Sequence, residues 1–290
     1  MIRRLAALLL LLAAPASLAA QHALTPLDSL GDATSRAIVR YADRSAASAA
    51  GYRRIGADFP GMGEHWLQPR VLLSGRVDAT QPTILIYATI DGAPRLLGAG
   101  FVVTTRGDER AAAVPGWPNA WHEHSGLLSD ESGVSPGANA ASATHAWVLH
   151  VWTTLANPGG RYAPDNWALP FVRAGLGSPA HADADAGRAA ALTSTGDEYL
   201  RDLLSDAGLR DSANAVRVDS IIATSRARAR VIVGLARARP GGAATDEALD
   251  ALRAEWASLS LALRGTVGET VARYLAPPHS ASMTAHRHAD

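Results

Sequence analysis

Apolar positions recur along this chain with two periods, and the change falls beyond the small, polar stretch 178–191. Before it, helical spacing is confined to one segment. From Asp32, a good N-cap, to Tyr52, the residues Ile38, Tyr41, Ala42, Ala49 and Tyr52 predict an amphipathic helix ending near Gly51 or Gly56. Phe59 to Trp66, with Gly61 and Gly63, reads as a loop. Arg70–Val77 and Pro82–Ile90 read as strands, the second placing Ile84, Ile86, Ala88 and Ile90 on one face. Asp91-Gly92 is a hairpin turn signal, and Leu96–Thr105 returns as a third strand with Phe101 and Val103 on one face. Such a meander makes the sheet at least partly antiparallel. Gly107–Gly116 reads as a charged loop, Trp117–His124 as irregular and Ser125–Thr144 as a long loop. Ala146–Thr154 is apolar on both faces, which predicts an interior strand.

Beyond residue 191 the pattern is helical. Ser194–Ala207 and Val216–Ala238 are followed by a helix that Thr245 caps and Pro277-Pro278 stops. Its stripe of Leu249, Leu252, Trp256, Leu259, Leu263, Val267, Val271 and Tyr274 is nearly heptad-spaced and calls for a partner helix, most simply Val216–Ala238 folded back. The expected class is α+β: an antiparallel-rich sheet with an N-terminal helix, then a C-terminal α-helical hairpin. The divisions are a signal peptide at 1–20, an α+β domain at 21–177, a linker at 178–191, the hairpin at 192–278 and a flexible tail at 279–290.

The signal rests on Met1-Ile2-Arg3-Arg4, the apolar run Leu5–Ala14 and the small residues Ser17-Leu18-Ala19-Ala20. That run is shorter than the roughly 20 residues that span a bilayer. The chain is therefore expected in the periplasm or secreted, with no transmembrane segment after cleavage. Positive and negative side chains balance at 27 each, which argues against a nucleic-acid partner. Lysine and cysteine are absent, so Schiff-base, thiolate and disulfide chemistry are excluded. A metal site must use His, Asp, Glu or main-chain oxygen.

Three histidine stations supply candidates: Glu64-His65-Trp66, Trp121-His122-Glu123-His124, and Leu149-His150-Val151-Trp152. On an interior strand, His150 must be hydrogen-bonded or ligated, since an unsatisfied buried polar group costs about 1–3 kcal/mol. His122 and His124 share a face if locally extended, the spacing with which two imidazoles reach one metal. His65, His122, His124 and His150 are thus the expected ligands, with Glu64 or Glu123 as acid–base group. Imidazole-only sites suit Zn, Cu, Ni or Fe. Asp165 and Asn166 are expected to orient a ligating imidazole, and Trp66, Trp121 and Trp152 to line a pocket. His145 faces away from His150 and serves as a structural control. No Gly-x-Ser-x-Gly elbow supports a Ser-His-Asp reading, and no phosphate-binding or dinucleotide glycine signature is present.

The segments Gly61-Met62-Gly63-Glu64-His65-Trp66, Leu149-His150-Val151-Trp152, Asn157-Pro158-Gly159-Gly160 and Asn166-Trp167 resemble a poorly characterised family of bacterial exported proteins. That family carries a Met-Gly-x-His-aromatic segment and a Leu-His-Val-Trp segment followed by Asn-Pro. The likeness covers roughly residues 36 to 176 and implies that His65 and His150 work together, without naming a reaction. The helical part and the His279, Met283, His286, His288 tail are similar to periplasmic helical-hairpin metal-sensing proteins.

Two functions follow. One is an exported metal-dependent enzyme, hydrolytic or redox, acting on a small molecule. The other is a non-catalytic metal-sensing, metal-buffering or small-molecule-binding protein whose hairpin mediates self-association through Trp256 and its stripe. An enzyme needs a water-accessible coordination position, whereas a sensor closes its shell.

Overall fold

The computed structural model describes residues 26–106, 111, 120–124, 144–194, 204–205, 207–209, 212–239 and 246–276. The signal segment and the His/Met tail lie outside these residues, as do all but one residue each of the loops expected over 107–116 and 125–144. Most of the helix expected at 194–207 lies outside them too.

The N-terminal helical region is divided. Helix α1 spans Pro26–Ile38, a 3-10 turn follows at Val39–Tyr41, and α2 spans Arg44–Ala49. The break occurs because Asp43 is extended and caps α2, its carboxylate accepting from the Ser45 N–H. Asp32, expected as the cap, lies inside α1 and pairs with Arg161 at 2.7 Å.

Strands β1 (Arg53–Phe59) and β2 (Gly63–Leu67) form a hairpin across Pro60-Gly61-Met62. This corrects the loop expected over 59–66: His65 is a strand residue. Gly63 makes the tight return, with φ +73° and no room for a side chain, because a Cβ there would collide with the Tyr87 carbonyl. The strand expected at Arg70–Val77 is instead helix α3 (Pro69–Ser74). Gln68 caps it through the Arg70 N–H, Pro69 occupies its first turn and Gly75 closes it at φ +63°. Leu73, 86% exposed, has no sheet to join.

Strands β3 (Ile84–Ile90) and β4 (Ala93–Arg106) meet at Asp91-Gly92, whose φ values of 51° and 75° give the expected turn. Strand β5 (Trp121–His124), expected as irregular, pairs with β6 (Thr144–Trp152). The order is β1-β2-β3-β4-β6-β5, with every neighbouring pair antiparallel. As expected, β6 is interior. Ile84, Ile86 and Ala88 enter one core cluster, while Leu85 and Tyr87 enter another on the reverse face beneath Ile38 and Tyr52.

After α4 (Leu169–Arg173), the stretch expected as a linker at 178–191 carries helix α5 (Ala184–Ala191), capped by Asp183 and almost entirely buried. Its alanines are strong helix formers whose small size permits close packing. Helices α6 (Ala215–Arg237) and α7 (Asp246–Leu275) form the hairpin. The stripe residues Leu252, Trp256, Leu259 and Leu263 are buried in one cluster with Val218, Ile222 and Val233 of α6. These four stripe residues are therefore covered within the chain. Gly268 (φ 80°, ψ 168°) interrupts α7. Ser260 Oγ donates to the Ala276 carbonyl at 3.4 Å, so the last turn folds back; 16 residues of straight helix would span about 24 Å. Among the described residues, no helix is long and apolar enough to cross a membrane.

Gly63→Ala is expected to destabilise the fold by about 3 kcal/mol in chemical denaturation, combining left-handed strain with a backbone collision. Gly75→Ala, which meets nothing within 4 Å, should cost less.

Candidate functional site

Register determines which side chains share the sheet face. His65 lies opposite Ile86, Ile86 opposite Gly98, and Gly98 opposite Trp152. Ile84 lies opposite Gly100, and Gly100 opposite His150. His122 lies opposite Val148, two residues before His150. His65, His122, His150 and Trp152 therefore share one face.

His65 on β2 and His150 on β6 are separated by β3 and β4, so strand spacing alone sets their backbones about 14 Å apart. Their Nε2 atoms are nonetheless 3.2 Å apart. Glycines vacate the face that β4 would otherwise fill. A Cβ on Gly98 would collide with the Val151 carbonyl, and one on Gly100 would sit 3.3 Å from both His150 Cδ2 and Ile84 Cβ. Sequence reasoning passed over this pair, although Gly-x-Gly inside a strand signals close approach.

His150 is fully buried and its Nδ1 lies 2.7 Å from the Pro164 carbonyl. A carbonyl only accepts, so Nδ1 carries the hydrogen. Burial depresses the imidazole pKa to about 4, against the opposing pull of the Pro164 bond. The ring is therefore neutral, and its Nε2 turns a lone pair toward His65. The His122 ring stands 4.8 Å from that of His150 at an interplanar angle of 67°. Phe59 meets His65 edge-on at 6.2 Å, and Trp152 meets His150 at 5.8 Å while its Nε1 donates to the Ala163 carbonyl. The cluster is nearly closed, with His65 and His122 each 7% exposed.

The remaining candidates are dispersed. Glu64 lies on the reverse face, where Arg44 holds it at 3.1 Å, so alternation keeps it from the histidines. Trp66 shares that reverse face and packs edge-on against Tyr87. Trp121 lies opposite Leu149 and joins the Phe101 cluster. The three tryptophans thus do not line one pocket; only Trp152 flanks the histidines. Glu123 and His124 lie opposite Trp147 and Ala146, and their side chains fall outside the described residues, as does that of His145.

The loop after β6 does orient His150, but through the Pro164 carbonyl and not through the side chains of Asp165 or Asn166. Asn166 Nδ2 donates to the Leu155 carbonyl, and its Oδ1 accepts from the Ala168 N–H, a structural turn. The Asp165 carboxyl is buried, with Oδ1 lacking a hydrogen-bond partner. Burial raises its pKa to about 6, partly opposed by the Arg188 charge.

Among the described residues, no group of three or more His, Asp or Glu side chains is placed to hold a metal ion. What is formed is a two-histidine pinch with a third ring beside it. Two nitrogens at 2.0–2.1 Å from a tetrahedral zinc lie about 3.3 Å apart, so the 3.2 Å separation fits such a bite. It equally fits a hydrogen bond from His65 Nε2–H to His150. Elsewhere, a cleft of about 940 Å³ lies between the 178–183 segment and α7, but its Asp183 is paired with Arg253 and its Asp185 with Arg188. No protein-family model, no curated protein and no solved structure matches the chain.

Proton linkage at this site has a definite sign. His150 has a depressed folded pKa, so its contribution is present above about pH 6.5 and lost as pH falls toward 4. Asp165 has a raised folded pKa, so its contribution is present at low pH and lost as pH rises from about 4 through 6. Between pH 4 and 6 the two slopes oppose each other. In metal-free protein, Asp165→Asn is expected to gain about 2–3 kcal/mol at pH 7.5 and almost nothing below pH 4. The variant should then show the acid-side loss due to His150, read from urea unfolding across that range.

Proposed function

We propose that this chain is an exported metal-binding protein that holds a transition-metal ion between His65 and His150. The supporting observation is the Nε2–Nε2 separation of 3.2 Å, with His150 Nδ1 already committed to Pro164. A carbonyl-fixed Nδ1–H is the usual support for an imidazole that ligates through Nε2. The His122 ring, 4.8 Å from that of His150, is the candidate for a further ligand. Zinc, copper, nickel and iron all suit such a donor set. Export rests on the charged, apolar and small-residue order of the first twenty positions.

Holding and buffering fit this geometry better than turnover. The rings are buried, and Glu64 is on the wrong face to serve as acid or base. A hydrolytic or redox centre needs an open position for water or substrate.

Untagged protein should therefore carry near-stoichiometric metal by elemental analysis. His65→Ala and His150→Ala should each weaken zinc binding in calorimetry by more than about 100-fold, since even supporting residues cost 10–100-fold. His181→Ala, in the distant cleft, should leave binding unchanged. Metal-free wild type that takes up no zinc, with a ¹⁵N-detected His65 Nε2–H bonded to His150, would replace the metal with a simple imidazole pair.

A further inference from the structure

The segment following the His150 contact has little slack. Ala163 O accepts from the Trp152 indole, and Pro164 O accepts from His150. Asp165 O accepts from Asn157 Nδ2, and the Asn166 N–H donates to the Gly61 carbonyl at 2.7 Å. Trp167 comes next, with its indole between the two halves of the molecule. On one side it lies against Gly61, where an added Cβ would be 3.4 Å from the ring. On the other it presses on α5, where a Cβ on Gly187 would be 2.6 Å from Trp167 Cε3. The Arg188 guanidinium, one residue on, lies 5.1 Å from the Trp167 ring and 6.0 Å from the Trp256 ring of α7. Five consecutive residues thus join the histidine pair to the helical core.

We propose that Trp167 is a positioning residue that couples the histidine site to the C-terminal helices, so that a metal ion at His65 and His150 tightens the packing of α5 and α7. This rests on the metal reading above. Ligation of His150 Nε2 polarises the ring and strengthens its Nδ1–H bond to Pro164, which draws on the 163–167 segment. An indole seated against two glycines, with no space for a side chain at Gly187, passes on displacement because a close-packed interior yields little. Arg188 then shares the change with Trp256. The coupling is reciprocal: loosening Trp167 weakens the metal site.

The test is hydrogen–deuterium exchange of the full chain with and without zinc, with bound zinc quantified in the same samples. In wild type, zinc should slow exchange over 145–168, and by about fivefold or more also over 184–191 and around Trp256. Trp167→Phe should keep the first effect, lose the second and bind zinc about fivefold more weakly. Arg188→Lys, which retains the charge but not the planar stacking, should lose the effect at Trp256 alone. If wild type binds zinc but protection stops at residue 168, the coupling is wrong while the metal reading stands. If zinc is not bound, both fall.

Discussion

The structure depends on satisfying one imidazole where water cannot reach it. His150 lies on the interior strand β6, fully buried, with two ring nitrogens and an unsatisfied-group penalty of about 1–3 kcal/mol for either left unpaired. The Nδ1 requirement brings the loop after β6 back across the sheet so that the Pro164 carbonyl can accept. The Nε2 requirement brings His65 across two intervening strands. That approach is helped by Gly100, where a side chain would crowd the His150 ring, while Gly98 lets β4 lie close against the Val151 carbonyl of β6. One buried polar residue thereby accounts for one glycine, a loop path and the facing of a second strand.

Strand alternation then separates chemistry from support. The face bearing His65, His122 and His150 also carries Ile84, Ile86, Val148 and Leu169, and has no described acidic side chain among the rings. The reverse face carries Glu64, Trp66, Leu85 and Tyr87, covered by the N-terminal helices. There Tyr87 donates to the Tyr41 carbonyl and Tyr52 to that of Pro82, tying helices to sheet through buried hydroxyls. Glu64 belongs to this support, held by Arg44 beside Trp66. Adjacency in sequence set it next to His65, but the two-residue period of a strand sets it on the other side.

What could be read from the sequence follows from how local each signal is. The Ile84–Ile90 alternation, the Asp91-Gly92 turn and the α7 stripe are short-range patterns, and each appears in the structure as expected. The α3 helix was missed because Val71-Leu72-Leu73 suggested a strand, whereas Pro69 and Gly75 at its ends decide its conformation. The 178–191 segment reads as a linker because alanine carries little hydrophobic signal, although it is the best helix former, and Gly187 among the alanines lets α5 lie against Trp167. The pairing of His65 with His150 spans 85 positions and three strand steps. His150 alone announced that it needed a partner; register and the β4 glycines supplied it.

The depressed basicity of His150 also bears on how the site would work. An imidazole near its ordinary pKa of about 6.5 loses metal in mild acid because protons compete for the lone pair. His150 resists protonation until about pH 4, because burial penalises the cation and Nδ1 is already committed to a carbonyl. His150 would therefore remain open to an ion held as proposed well below the range in which an ordinary imidazole is lost to protons. A ligand that stays unprotonated in mild acid fits the proposed holding of a metal ion, since protons then compete less for its lone pair.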